Sequence, residues 1–159
     1  MRVALAIAVL SIAALGLVQP TPARASVPRR HYGSESLTQL ETKLRLAAWR
    51  FALRQEGKPY IWGGIGPEGY DCSGLVYAAY KSAGLVLPRT TYEMLDSWYL
   101  VRIPKWKAKR GDLAFFGTGH VELFDYGRWT FGAETVGTLI GFHEMNSFWH
   151  PTMYFRIRL

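Results

Sequence analysis

The chain has 159 residues, of which 49% are hydrophobic and 19% are charged. This composition is typical of a globular protein with one domain, and it excludes a disordered chain. The 19 lysine and arginine residues exceed the 12 aspartate and glutamate residues and give a formal charge of +7, which favours polyanionic partners. Because no dense basic run or RNA-binding signature is present, we expect no nucleic-acid partner.

Residues 1–25 have the pattern of a cleaved signal peptide. An unbroken apolar run over residues 3–18 precedes an Ala-x-Ala motif at residues 23–25, which is the form of a signal-peptidase site. The run is shorter than the roughly 20 residues that span a bilayer. We therefore expect a secreted protein without a stable membrane anchor after cleavage, extracellular or associated with the cell wall. A periplasmic location stays open.

The rest of the chain is predicted to form one domain of helices followed by strands. The polar stretch 26–36 is interpreted as a flexible N-terminus, and residues 37–159 as the domain. Apolar residues three or four positions apart predict a helix from Leu37, another over residues 72–83 and a short one within residues 87–95. Short apolar runs between turn residues predict strands in the C-terminal third. Helices first and an antiparallel sheet second indicate an α+β fold.

Cys72 is the only cysteine, so it cannot form an intramolecular disulfide. It lies at the predicted start of the second helix, directly after the glycine-rich loop 60–71. Free N–H groups and the positive end of the helix dipole favour a thiolate at such a place. No histidine has metal-ligand spacing to Cys72 or to another histidine, so we expect no metal and no cofactor.

A nucleophilic thiol requires a base within hydrogen-bond reach. His120 is the candidate, because it begins a predicted strand directly after the turn at residues 117–119. A lone histidine is more often structural. From the residues alone, a cysteine–histidine hydrolase and a packed, unreactive thiol therefore stay equally open.

Five motifs occur in a fixed order, namely GKPYIWGG, DCSGLV, LPRTTYEM, RGDLAFF and GHVELF. Together they resemble the NlpC family of bacterial cell-wall cysteine peptidases, from about Thr42 to the C-terminus. The resemblance implies a papain-like α+β fold, in which N-terminal helices, with the nucleophile at a helix N-terminus, pack on a C-terminal antiparallel β-sheet. It also implies hydrolysis of amide bonds in peptidoglycan stem peptides, often between D-γ-glutamate and the following diamino acid.

The resemblance assigns roles to five residues of this sequence. Cys72 corresponds to the nucleophile and His120 to the base, whereas Tyr60, Asp71 and Ser73 correspond to residues that bind the substrate. The expected partners are peptidoglycan stem peptides and anionic wall polymers attracted by the basic surface, and the protein is expected to be a monomer. The basic run KWKAKR at residues 105–110 is interpreted as a solvated loop rather than as a binding patch.

The residue that orients the base departs from the family pattern. The family places it on the next strand, at a position that Gly132 occupies here. Glu134 is our preferred substitute, because it lies two residues further along and on the same face of a regular strand. Glu122, which replaces the glycine usual after the base, is the second choice. His143 and Asn146 are the remaining candidates for the orienting residue.

Two further interpretations keep the fold but change the function. A thioester that is resolved by an acceptor other than water would make the protein an acyltransferase. Hydrolysis of a different amide on the same fold would make it an amidase. Gly132 also favours a wall-binding module without catalytic activity, in which Cys72 is inert. The retention of both Cys72 and His120 argues for an enzyme.

Overall fold

The computed structural model describes residues 36–159. The predicted signal peptide (1–25) and nearly all of the predicted flexible N-terminus (26–36) lie outside these residues, so both stay predictions. Within the described part of the chain, no helix has the length and apolar character needed to cross a membrane.

Three helices come first in the described chain, as the sequence predicted. Helix α1 spans Leu37–Leu53, α2 spans Cys72–Ala83 and α3 spans Thr91–Leu95. Ser36 caps α1, since its side chain accepts a hydrogen bond from the backbone of Gln39 and the Gln39 side chain accepts one in return. This reciprocal pair satisfies two N–H groups that a helix start otherwise leaves free.

Six antiparallel strands follow and form one sheet in the order β1-β6-β2-β3-β4-β5. Their bounds are Leu100–Ile103, Leu113–Phe116, His120–Phe124, Trp129–Gly132, Gly141–Glu144 and Met153–Ile157 for β1 to β6. The predicted α+β fold is thereby confirmed. Only β1 was not predicted, because its four residues LVRI show no clear alternation between turns.

The core lies between the helices and the sheet. Trp49 of α1 contacts Phe131 of β4 edge to face, with ring centroids 5.7 Å apart. Tyr80 of α2 is fully buried and donates a hydrogen bond from its hydroxyl to the Gly111 carbonyl at 2.9 Å. Helix α2 packs on β3. This contact brings the first residue of α2 toward the first residue of β3.

The start of α2 is fixed by the preceding loop. The Asp71 carboxylate caps the helix by accepting a 2.6 Å hydrogen bond from the Gly74 N–H, and it accepts a second from the Gly63 N–H at 2.9 Å. The loop passes so close to the helix that a Cβ on Gly74 would lie 2.0 Å from the Gly64 carbonyl oxygen. Only glycine at position 74 permits this approach.

Substitution of Gly74 by alanine is expected to destabilise the fold by about 1 to 3 kcal/mol, because its methyl group meets rigid backbone. Thermal and urea unfolding would measure the loss. Gly141→Ala is the matched control, since a Cβ there meets nothing within 4 Å. Equal stability of the two variants would contradict the close packing of the loop on α2.

Candidate active site

A cleft of about 750 Å³ lies where the start of α2 faces the start of β3. It brings together all six residues singled out from the sequence as site residues. Its lining also includes one basic and two aromatic residues that were not assigned to the site from the sequence, namely Arg89, Trp62 and Tyr92. The residues discussed below are Tyr60, Trp62, Asp71, Cys72, Ser73, Arg89, Tyr92, His120 and Glu134.

Cys72 and His120 face each other across this cleft. Cys72 is the first residue of α2 and is 8% exposed, and His120 is the first residue of β3. Burial by itself lowers the pKa of His120, but hydrogen bonds with Cys72 and with Glu122 outweigh it and raise this pKa to about 9. The imidazole is therefore protonated at neutral pH. A cationic imidazole beside a sulfur at a helix start is the pairing that produces a nucleophilic thiolate.

The carboxylate that contacts His120 belongs to Glu122. This side chain is fully buried, and its Oε1 atom lies 3.2 Å from His120 Nε2 and 2.7 Å from His143 Nδ1. The hydroxyl of Thr130 donates to the other oxygen, Oε2. Burial raises the pKa of Glu122, but the hydrogen bonds from His120, His143 and Thr130 outweigh burial and lower this pKa to about 2. Glu122 is thus a buried anion with three hydrogen-bond donors.

Glu134, the preferred candidate from the sequence, does not occupy this position. Strand β4 ends at Gly132, and the chain then enters a turn, so the regular strand assumed for Glu134 does not continue. The Glu134 carboxylate lies 3.8 Å from His143 Nε2, and its side chain is 37% exposed. Of the two glutamates, Glu122 is therefore the one that contacts His120.

Gly132 explains why Glu122 fits beside the imidazole. A Cβ on Gly132 would lie 2.5 Å from Glu122 Cγ, so any side chain at position 132 would displace the carboxylate. The Glu122 side chain on β3 therefore fills the space that a side chain at position 132 on β4 would need.

Of the two remaining candidates, His143 contacts Glu122 rather than His120. Asn146 caps a turn, since its side-chain oxygen accepts from the N–H groups of Phe148 and Trp149.

The three predicted substrate-binding residues, Tyr60, Asp71 and Ser73, line the cleft with Cys72. The Asp71 carboxylate accepts several hydrogen bonds. Asp71 is 8% exposed, and besides its two backbone donors it accepts a 2.6 Å hydrogen bond from Arg89. Arg89 also donates to the Ser73 hydroxyl at 2.8 Å. The pKa of Tyr60 is raised, first by burial and then by the negative charges of Cys72 and Asp71.

Arg89 is a site residue that was not predicted from the sequence. It is the basic residue of the LPRTTYEM motif, but nothing in its spacing indicates that it reaches back to Asp71, 18 positions earlier. The only signal is its position directly before the cap of α3, which the loop carries toward the start of α2.

Aromatic rings cover His120 and frame the cleft. The ring of Trp149 stacks on Phe116 at 4.3 Å, and the centroids of the two rings lie 5.3 and 5.4 Å from that of His120. This cover keeps water from one side of the imidazole. Trp62 and Tyr92 line the cleft itself and are 82% and 62% exposed.

The fold and the site together define a class of protein. It is an α+β domain in which a thiol at the start of a helix lies beside an imidazole at the start of a strand. The sequence model of the NlpC/P60 family matches residues 57–158. The chain belongs to this family. The resemblance drawn from the five motifs is thereby confirmed.

Curated relatives and solved structures agree with this assignment. Murein DD-endopeptidase MepH of Escherichia coli is 44% identical over 91 residues, which cover 56% of this chain and 30% of that protein. The bifunctional muramidase/DL-endopeptidase CwlT of Bacillus subtilis is 49% identical over 67 residues, 42% of this chain and 20% of that protein. The chain thus spans less than a third of the length of either relative.

Among the solved structures, the peptidoglycan hydrolase RipB of Mycobacterium tuberculosis has a TM-score of 0.64 at 26% identity. The likeness covers 75% of this chain and 67% of that one. An NLP/P60 family protein similar to a lipoprotein, from Staphylococcus aureus, also has a TM-score of 0.64, at 29% identity, over 73% of this chain and 42% of that one. The fold and the family are therefore those of these proteins.

The pairing of Glu122 with two imidazoles predicts how stability depends on pH. The Glu122 pKa of about 2 lies below the ordinary 4.5, so its contribution is complete above pH 4.5 and is lost as the pH falls toward 2. The His120 pKa of about 9 lies above the ordinary 6.5, so its contribution is complete below pH 6.5 and is lost as the pH rises toward 9. The site should contribute most to the free energy of unfolding between these two ordinary values.

Thermal unfolding from about pH 2 to about pH 10 would measure both slopes. In Glu122→Gln we expect both slopes to flatten and the stability near pH 5.5 to fall by on the order of 3 kcal/mol. Glu56→Gln removes an exposed carboxylate and serves as the control, for which wild-type slopes are expected. Unchanged slopes in Glu122→Gln would show that Glu122 is not the anion that holds the imidazoles.

Proposed function

We propose that the protein is a secreted cysteine endopeptidase that cleaves amide bonds in peptidoglycan stem peptides. The observation that carries the proposal is the chain of contacts from Cys72 through His120 to the buried Glu122. Cys72 and His120 line an open cleft on an NlpC/P60 fold. The names of the relatives support it, since MepH and CwlT are both endopeptidases.

In the proposed reaction the Cys72 thiolate attacks the carbonyl carbon of the scissile amide. His120, which is protonated at neutral pH, donates its proton to the leaving amine as the tetrahedral intermediate collapses to a thioester. Water then attacks the thioester and gives a proton to His120, which releases the carboxylic acid and restores the thiolate. Backbone N–H groups in the first turn of α2, including that of Cys72, have no partner within the helix and stabilise the oxyanion.

Glu122 acts in this scheme as a positioning residue. Because its Oε1 atom accepts from His120 Nε2, the ring is turned so that Nδ1 is the nitrogen available to the thiol. His143 and Thr130 hold the carboxylate from two other directions. The base is therefore aligned before substrate arrives, and Glu122 takes the role that the family assigns to the next strand.

The substrate class follows from the groups beside Cys72. We assign recognition of the free amino end of a stem peptide to Asp71, Ser73 and Tyr60, with Arg89 holding the first two in place. The Asp71 carboxylate already accepts from four donors, on Gly63, Gly74, Arg89 and Ser73, so its orientation is fixed and an ammonium group meets a rigid acceptor. The bond cleaved would be the one between D-γ-glutamate and the following diamino acid.

The first test is the reactivity of Cys72. We expect alkylation at neutral pH to be faster in the native protein than in His120→Ala, because the cationic imidazole is then missing. Both His120→Ala and Cys72→Ala should lose more than about 1000-fold of the rate on defined stem peptides. If Cys72 reacted only after unfolding, the result would contradict the peptidase proposal and favour a wall-binding module without catalytic activity.

A second pair of variants separates Glu122 from Glu134. Glu122→Gln is expected to lower kcat by about 10- to 100-fold with little change in KM, because the imidazole loses its charge partner but the cleft is intact. It should also shift the base limb of the pH profile downward, since Glu122 raises the pKa of His120. His143→Gln should show a smaller loss.

Glu134→Gln is the matched comparison, because it makes the same chemical change in the same cleft. Its effect on kcat and on the pH profile is expected to be small, since its carboxylate touches His143 only at 3.8 Å. A larger loss in Glu134→Gln than in Glu122→Gln would restore the assignment made from the sequence.

A further inference from the structure

A second cleft, of about 770 Å³, lies at the end of β3 away from the active site. His120 is the first residue of β3 and Phe124 is the last, so the two clefts lie at opposite ends of one strand. The second cleft is bounded by residues 105–110 and by residues 124–127. None of its lining residues lines the active-site cleft.

Aromatic side chains form much of this cleft. Phe124 is buried in the small apolar cluster that it forms with Ala114 and Tyr154. Trp106 and Tyr126 also line the cleft, but they are 80% and 61% exposed. Large exposed aromatic side chains around one concavity are unusual on a soluble surface and indicate a binding site.

Basic side chains surround the same aromatic rings. Lys105, Lys109 and Arg110 line the cleft, whereas Asp125 is its one acidic residue and is paired with Arg110. Lys107 lies over the ring of Trp106, with its Nζ atom 4.9 Å from the centroid. Because Arg110 and Asp125 neutralise each other, the net positive charge at this cleft comes from Lys105, Lys107 and Lys109.

The positive charge continues beyond the cleft. A neighbouring cavity of about 320 Å³ shares Lys109 with it and is also lined by Lys107 and Arg158. Arg156 lines the same cavity but is paired with the buried Asp112. Glu41 is the one acidic residue in the lining of this cavity, so Lys107, Lys109 and Arg158 leave it basic. An elongated ligand can therefore extend from the aromatic rings into it.

We propose that this aromatic and basic cleft binds an acidic glycopolymer, that is, a polysaccharide chain with regularly spaced negative charges. The flat apolar faces of sugar rings pack on Trp106 and Tyr126, and the lysines neutralise the charges and release counterions. The run KWKAKR was interpreted from the sequence as a solvated loop, because short basic runs usually are. In the structure Trp106 shares a cleft with Tyr126 from the turn after β3. Such binding would hold the enzyme on the wall while the other end of β3 meets the peptide.

The test compares three soluble probes by titration calorimetry with the whole protein. Polygalacturonate carries rings and charge, poly-glutamate carries charge without rings, and dextran carries rings without charge. We expect polygalacturonate to bind most tightly, with an affinity that falls steeply as the salt concentration rises. Dextran should not bind, and poly-glutamate should bind at least about 10-fold more weakly.

Two double variants separate the aromatic contribution from the charge. Trp106→Ala/Tyr126→Ala and Lys105→Gln/Lys109→Gln should each weaken polygalacturonate binding by about 10-fold or more. Arg54→Gln/Lys81→Gln removes the same charge from exposed positions on other elements and should bind like the unchanged protein. Thermal unfolding would confirm that all variants fold, and none should change the cleavage of a soluble stem peptide.

Three outcomes would overturn the proposal. Equal weakening in Arg54→Gln/Lys81→Gln would show that only net charge attracts the polymer. Equal affinity for poly-glutamate and polygalacturonate would assign the cleft to an acidic protein partner instead. Absence of binding by polygalacturonate at low salt would leave the cleft without a glycopolymer role, whether or not the peptidase activity is found.

Discussion

The arrangement of the active site depends on one buried charge, the carboxylate of Glu122. A fully buried carboxylate is costly unless donors surround it, and here two imidazoles and one hydroxyl supply them. The same contacts that make the burial tolerable also fix the ring of His120 and keep it cationic. The tolerance of the buried charge and the alignment of the His120 imidazole therefore have one physical cause.

The thiol is positioned by a separate set of contacts at the start of α2. The Asp71 side chain caps the helix, accepts from the glycine-rich loop and pairs with Arg89 from the segment before α3. The glycine-rich loop, the start of α2 and the segment before α3 are thus joined at the residue next to Cys72. The packing of α2 on β3 then sets the thiol against His120, so that helix and sheet each deliver one half of the proposed catalytic pair.

The substitution of a glycine for the usual orienting residue need not mean decay of an enzyme. Gly132 is the feature that favoured a wall-binding module without activity. Its empty space is filled by the Glu122 side chain from the neighbouring strand, which approaches within 2.5 Å of where a Cβ would stand. A side chain on β3 thus fills the space that a residue on β4 would otherwise occupy.

The sequence by itself determined the fold class, the helix start at Cys72, the strand start at His120 and the family, because these depend on local periodicity, capping and ordered motifs. Tertiary structure decided which carboxylate reaches the imidazole, since that depends on where β4 ends and on the space beside Gly132. It also decided that Arg89 reaches Asp71. Side-chain contacts between distant segments follow from packing, and no spacing along the chain encodes them directly.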